Sequence, residues 1–162
     1  MLDITVLSVG RVKEKGMQQL IEEYSKRLGR YAKLHIIEVP DEKTPDGASE
    51  ALEEQIKRRE GERLLQQLGR CRDAYVICLA IEGKQLSSEE LAARIDRLTV
   101  DGVSHVVFII GGSLGLSPEV LGMADMLLSF SRMTFPHQLM RVILLEQVYR
   151  SFRIINNEPY HK

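Results

Sequence analysis

The sequence predicts an α/β protein with a mostly parallel sheet flanked by helices on both faces. Segments rich in β-branched and aliphatic residues alternate with segments of helical periodicity along all 162 residues, and strict alternation of the two is the mark of a parallel sheet. Residues 74–81 are almost continuously apolar, as expected of a strand covered on both faces. Glycine and proline punctuate the ends of the strand-like runs, where the chain must turn.

Taken in order, residues 2–9 form the first strand, stopped at Gly10, and residues 18–28 have helical spacing of apolar positions. Residues 34–39 make a second strand, ended by Pro40 and the turn-forming stretch 41–47. Residues 49–68 read as a long amphipathic helix with apolar positions at Leu52, Ile56, Leu64, Leu65 and Leu68 and its many charges on a solvated face. The central strand 74–81 runs into Glu82-Gly83-Lys84, and Ser88, with Glu89 and Glu90 behind it, is the expected N-cap of a helix reaching about Leu98. After the Asp101-Gly102 turn a strand over 104–110 leads into Gly111-Gly112, and Ser117-Pro118-Glu119 opens a short helix with proline at its first position. The last strand is expected over 126–131, and Phe135-Pro136 opens a long helix ending near Phe152. The whole of 1–162 reads as one domain, without internal repeats.

Composition sets bounds on function. Apolar residues are 44% and charged residues 28% of the chain, ordinary globular usage with enough apolar material for a core. No apolar run approaches the roughly 18 residues that span a bilayer, and Met1–Val6 has no basic region ahead of an apolar one, so a cytoplasmic protein is expected. The cysteines, Cys71 and Cys78, are isolated, and the histidines at 35, 105, 137 and 161 have none of the spacings that bind zinc. Net charge is −1, without the basic excess of a general nucleic-acid binder. The last third differs: from Arg132 to Lys162 there are five Lys/Arg against two acids.

Three segments there could carry chemistry. Gly111-Gly112 at a strand end lets the backbone approach a ligand, but Gly111, Gly112 and Gly115 do not make the dinucleotide pattern, and a structural turn or a phosphate site at a helix start are the alternatives. The loop Phe130-Ser131-Arg132-Met133-Thr134-Phe135-Pro136-His137 joins a buried strand to a helix while carrying hydroxyls, an arginine and a histidine; its plain alternative is a loop capped by Thr134. Glu146 and Arg150 are spaced for a helical ion pair, Tyr149 and Phe152 for packing, and the tail Tyr160-His161-Lys162 either frays or supplies stacking and phosphate-binding groups for RNA.

Taken jointly, Phe108-Ile109-Ile110-Gly111-Gly112-Ser113, the 128–138 segment, Arg141-Val142, Glu146 to Arg150 and Pro159-Tyr160-His161-Lys162, with 6–10 and 37–43 near the N-terminus, closely resemble the ribosomal RNA large subunit methyltransferase H family of the SPOUT superfamily. The resemblance implies a trefoil-knotted α/β domain. It also implies a homodimer that moves a methyl group from S-adenosylmethionine, without a metal, to N3 of a pseudouridine in large-subunit (23S) rRNA on the ribosome. The apolar face of the last helix would offer the subunit contact. The cofactor would fall on Leu79, Gly111, Phe130, Ser131, Arg132, Met133, Thr134 and Phe135. RNA would meet Arg132, Arg150, Tyr160 and Lys162, and His137, Arg141 and His161 would form the catalytic group, with either histidine as the base or with positioning alone sufficing and the proton leaving to solvent. A non-catalytic RNA- or ribosome-binding module on the same fold is the competing expectation.

Overall fold

A computed structural model describes residues 1–162. The elements run β1 (Leu2–Val9), α1 (Lys15–Leu28), β2 (Ala32–Val39), α2 (Glu50–Leu68), β3 (Tyr75–Gln85), α3 (Ser88–Val100), β4 (His105–Ile110), α4 (Pro118–Leu121), β5 (Met126–Ser129) and α5 (His137–Ile155). One five-stranded sheet is ordered β2-β1-β4-β3-β5, and every neighbouring pair is parallel.

The apolar runs follow from burial on both faces. Ile4 and Val6 of β1, Ile77 of β3 and Val106, Phe108 and Ile110 of β4 face one core, shared with Leu91 and Ile95 of α3 and Leu144, Leu145 and Val148 of α5. The intervening Leu7, Val9, Val76, Cys78, Val107 and Ile109 face a second core with Leu64 and Leu68 of α2 and Val120 of α4. A side chain taken from water to such a position contributes about 1.5–3 kcal/mol, so strands that carry apolar residues at every position are stabilised from both sides. Cys78 is fully buried, and burial pushes its thiol up to about 12, which leaves it inert.

Several boundaries differ from the sequence reading for local reasons. Ser87, not Ser88, caps α3: Glu90 N–H donates to Ser87 Oγ at 3.1 Å and Ser87 N–H to Glu90 Oε1 at 2.9 Å, a reciprocal box that needs the glutamate three residues after the cap. Ser88 Oγ is free to donate instead to Gln147 Oε1 on α5 at 2.7 Å. β5 ends at Ser129 rather than 131 because Ser129 Oγ turns to Ser131 O at 3.0 Å. Thr134 does not cap the last helix, which begins at His137 behind Pro136 with no side-chain cap. The face of α2 is less solvated than its charges suggest, since Ile56, Glu60, Gly61, Leu64 and Leu68 are all buried. The apolar face of α5, expected as a subunit contact, is covered within the chain by α1, α3 and the sheet.

β3 is longer than its apolar run and is interrupted. Leu79 and Lys84 both pair with Leu128 of β5, so the four residues between them loop out of the ladder. Gly83 packs directly on β5, where an added Cβ would lie 2.7 Å from the Leu127 carbonyl carbon and 2.9 Å from Leu128 N. Backbone cannot yield as a flexible side chain can. Gly83→Ala is therefore expected to lower unfolding free energy by about 1–3 kcal/mol, read from urea denaturation; an unchanged midpoint would contradict this packing.

Candidate active site at the carboxyl edge

All five strands point their carboxyl ends to one edge, where open α/β sheets hold their ligands. After β1 the chain moves to β2 on one side, whereas after β4 it moves to β5 on the other. The loops that follow β4 and β5, with the looped-out residues of β3, surround a crevice.

A cleft of about 760 Å³ occupies this edge, within the usual range for small-molecule sites. Its wall from β3 is Leu79 and the looped-out Ala80, Ile81 and Glu82; from β4 come Ile110 and the turn Gly111–Leu116. Further lining comes from Phe130, Ser131, Met133, Thr134, Phe135, His137 and Met140. The sheet thus brings together seven of the eight residues expected to hold a cofactor: Leu79, Gly111, Phe130, Ser131, Met133, Thr134 and Phe135. Arg132 is exposed and lies outside the lining. The lining is apolar where strands end and offers backbone at the turns, a surface suited to a flat heteroaromatic ring with polar edges. The turn is tight: a Cβ on Gly111 would meet the Gly115 carbonyl carbon at 2.7 Å, and Gly115 takes a φ of +85°, which only glycine adopts readily. Ser131 shapes the other loop, its Oγ accepting Met133 N–H at 3.0 Å.

His137 is half-buried in the cleft wall. Burial lowers its proton affinity and the Arg141 cation lowers it further, against an opposing pull from Asp41. The ring is consequently neutral at pH 7 and able to accept a proton.

Arg141, one helical turn on, is not in the cleft. It is 2% exposed, and its guanidinium donates to Glu38 Oε2 at 2.7 Å, Val9 O at 2.6 Å and Gly10 O at 2.9 Å. Every hydrogen bond it makes goes to a strand end, so its guanidinium is held inside rather than presented to the cleft. Burial pulls this guanidinium below its ordinary value, while Glu38 holds it up.

The tail is ordered rather than frayed. Arg153 binds Glu158 at 2.7 Å, and Tyr31 Oη donates to the same carboxylate at 2.8 Å. Arg150 donates through Nε to Glu146 Oε1 at 2.9 Å and through Nη1 to His161 Nδ1 at 3.0 Å. With Nδ1 accepting, Nε2 carries the hydrogen and donates to Glu89 Oε1 at 2.5 Å. Tyr160 lies under the Arg150 guanidinium at 4.7 Å and donates to Glu146 Oε1 at 3.2 Å; burial, with Glu146 beside it, pushes its phenol up to about 12. Lys162 is exposed at the end. Along α5, Arg150 lies thirteen positions beyond His137, about 20 Å at the helical rise. Within one chain His137 and the Arg150–Tyr160–His161 cluster cannot reach the same atom.

Sequence reasoning missed Lys57, which lines the cleft, and Glu60, which is 4% exposed beneath its glycine turn. The signal for Glu60 was there: Ile56, Glu60 and Leu64 are spaced by four, which sets a carboxyl on the apolar stripe of α2.

A family model described as "Predicted SPOUT methyltransferase" matches residues 2–161. A protein of Bifidobacterium adolescentis named ribosomal RNA large subunit methyltransferase H is 63% identical over 99% of this chain and 100% of its own length. One of the same name from Bifidobacterium animalis subsp. lactis is 60% identical over the same shares. Among solved structures, a probable methylase family protein from Haemophilus influenzae Rd KW20 aligns with a TM-score of 0.58 at 14% identity, covering 100% of this chain and 72% of that one. The A. aeolicus TrmH/SpoU tRNA modifying enzyme aligns with a TM-score of 0.50 at 16% identity, covering 97% and 78%. These likenesses in structure are of fold.

Two outcomes follow from the geometry. Arg141→Leu leaves Glu38 and two strand-end carbonyls without their donor, and urea denaturation is expected to show a loss of about 3 kcal/mol; a loss under 1 kcal/mol would contradict the tie. His137 and His105 both have proton affinities lowered below the ordinary 6.5, chiefly by burial. The folded chain then binds fewer protons than the unfolded one as pH falls through 6.5, so stability drops on acidification and is fully present above that pH. His137→Asn should flatten part of the slope of unfolding free energy between pH 7 and 5; an unaltered slope would show that His137 does not contribute.

Proposed function

The chain belongs to the ribosomal RNA large subunit methyltransferase H family of SPOUT methyltransferases, and on that premise we propose that it methylates N3 of a pseudouridine in 23S rRNA, taking the methyl group from S-adenosylmethionine and working on ribosomes in the cytoplasm. The observation that carries this reading is the cleft of about 760 Å³ in which the ends of β3, β4 and β5 converge.

The residues present fit such a cofactor. Leu79, Ile110, Leu116 and Met140 offer an apolar slot for the adenine ring, and the turns at 111–115 and 130–135 offer backbone groups to its polar edge and to the methionine portion. S-Adenosylmethionine, when bound, supplies a methyl group on a sulfonium leaving group, so no metal is called on. The protein's share of the work is to align the base, exclude water and take the N3 proton. Neutral His137 at the cleft wall is the group we assign to that proton. Leu79, Gly111, Phe130, Ser131, Met133, Thr134 and Phe135 hold the cofactor, with Arg132 at the loop surface directed to RNA phosphate.

The tail cluster needs a second chain. With Arg150 about 20 Å along α5 from His137 and with Tyr160 and His161 packed on it, we assign these residues and Lys162 to RNA bound at the cleft of a partner copy, which makes the enzyme a homodimer. Exposed Ile81 and Met133 at the cleft rim, 48% and 72% accessible, are apolar surface available to such a contact. The family implies a trefoil knot in this part of the chain.

Incubating the protein with labelled S-adenosylmethionine and ribosomal particles, then analysing rRNA nucleosides by mass spectrometry, should yield a methylated pseudouridine. Its absence overturns the reading. His137→Ala is expected to lower kcat about 100-fold, and His161→Ala and Arg150→Ala to cut methyl transfer at least tenfold without changing S-adenosylhomocysteine affinity. Loss of cofactor binding in the tail variants would place the tail in the wrong site.

A further inference from the structure

Glu60 is a carboxyl where the packing calls for an apolar side chain. It sits on α2 between Ile56 and Leu64, both buried, and is itself 4% exposed. Its Oε2 accepts the backbone N–H of Glu42 at 3.0 Å, which ties it to the loop after β2. Its Oε1 has no hydrogen-bond partner. A Cβ on Gly112 would lie 3.2 Å from Oε1 and 3.4 Å from Oε2, so the carboxyl lies against the underside of the turn whose upper side lines the cleft.

A buried carboxyl oxygen without a partner costs stability, and an apolar side chain of similar volume is often neutral or better at such a place. The core around α2 therefore does not need this group. What the group touches is the turn, and the turn is a wall of the cleft. We propose that Glu60 is a positioning residue for the cofactor cleft, holding the loop after β2 to the Gly111–Leu116 turn, with Oε1 reserved for a backbone N–H of that turn when the cleft fills. This rests on the methyltransferase reading and adds to it a residue that touches no substrate.

The charged groups facing Glu60 are Asp41 and Glu42 from the loop and Arg63 from its own helix, while β1 presents Val9 and the turn presents backbone. Burial is the largest influence and pushes the carboxyl up, with Asp41 and Glu42 adding to it and the Glu42 N–H and Arg63 opposing. Gaining an N–H donor at Oε1 favours the ionised form. Filling the cleft then releases a proton from Glu60, and affinity rises with pH across its titration.

The test is S-adenosylhomocysteine titrated calorimetrically into wild type, Glu60→Gln and Glu60→Leu at pH 5.5 and 7.5. Wild-type affinity should tighten between the two pH values by at least fivefold more than that of Glu60→Gln, which cannot ionise. Glu60→Leu should melt at the wild-type temperature or higher and bind at least tenfold more weakly. A pH response shared by wild type and Glu60→Gln overturns the inference. So does a Glu60→Leu protein that melts lower but binds as wild type does, because Glu60 would then be structural alone. A wild type that binds no S-adenosylhomocysteine at either pH overturns the methyltransferase reading, and this inference with it.

Discussion

The buried guanidinium of Arg141 is the tie on which the carboxyl edge of the sheet depends. It joins the first turns of α5 to the last residues of β1 and β2 through Glu38, Val9 O and Gly10 O. Gly10, at φ +86°, turns there with its N–H on Val39 O at 2.7 Å, and Asp41 lies beside Gly10. Because His137 is four residues ahead on the same helix face, fixing Arg141 fixes the direction in which His137 meets the cleft, and its charge helps to keep that ring neutral. A lysine could not serve in its place, since a single ammonium lacks the planar fork that spans three acceptors.

The cleft is a product of the same edge. Two apolar layers cover the faces of the sheet, and the strand ends of β3, β4 and β5 leave polar backbone around one crevice. The close backbone contact of Gly83 with Leu127 lets β3 and β5, distant in sequence, share its walls, while that of Gly111 with Gly115 tightens the turn between them. The cost is a set of groups that stability alone does not explain, Glu60 foremost, and buried polar groups of that kind gather where a ligand must be shaped for.

Much of this was legible in the sequence. Both-face burial writes itself as mostly apolar, β-branched runs, so strands and their parallel arrangement could be read from residues 2–9, 74–81 and 104–110. Boundaries set by side-chain hydrogen bonds were harder: Ser87 and Ser88 are the same residue type, and only the reciprocal bond with Glu90 distinguishes them. Charge misled on α2, where Glu60 and Gly61 are buried among residues that otherwise face water. It misled again at Arg141, whose partners lie 103, 131 and 132 residues away along the chain.

By itself the sequence determined the layered parallel fold, the family, and the segments from which the cleft is built, because hydrophobic periodicity and local motifs are encoded by neighbouring residues. Only the tertiary structure decided which polar side chains face the cleft and which are consumed inside. It sent His137 to the wall, Arg141 to the strand ends, Glu60 beneath the turn, and Arg150, Tyr160 and His161 to a separate cluster about 20 Å along α5. Those assignments depend on partners from other strands and helices, and hydrogen bonds across such separations leave no periodic trace in the chain.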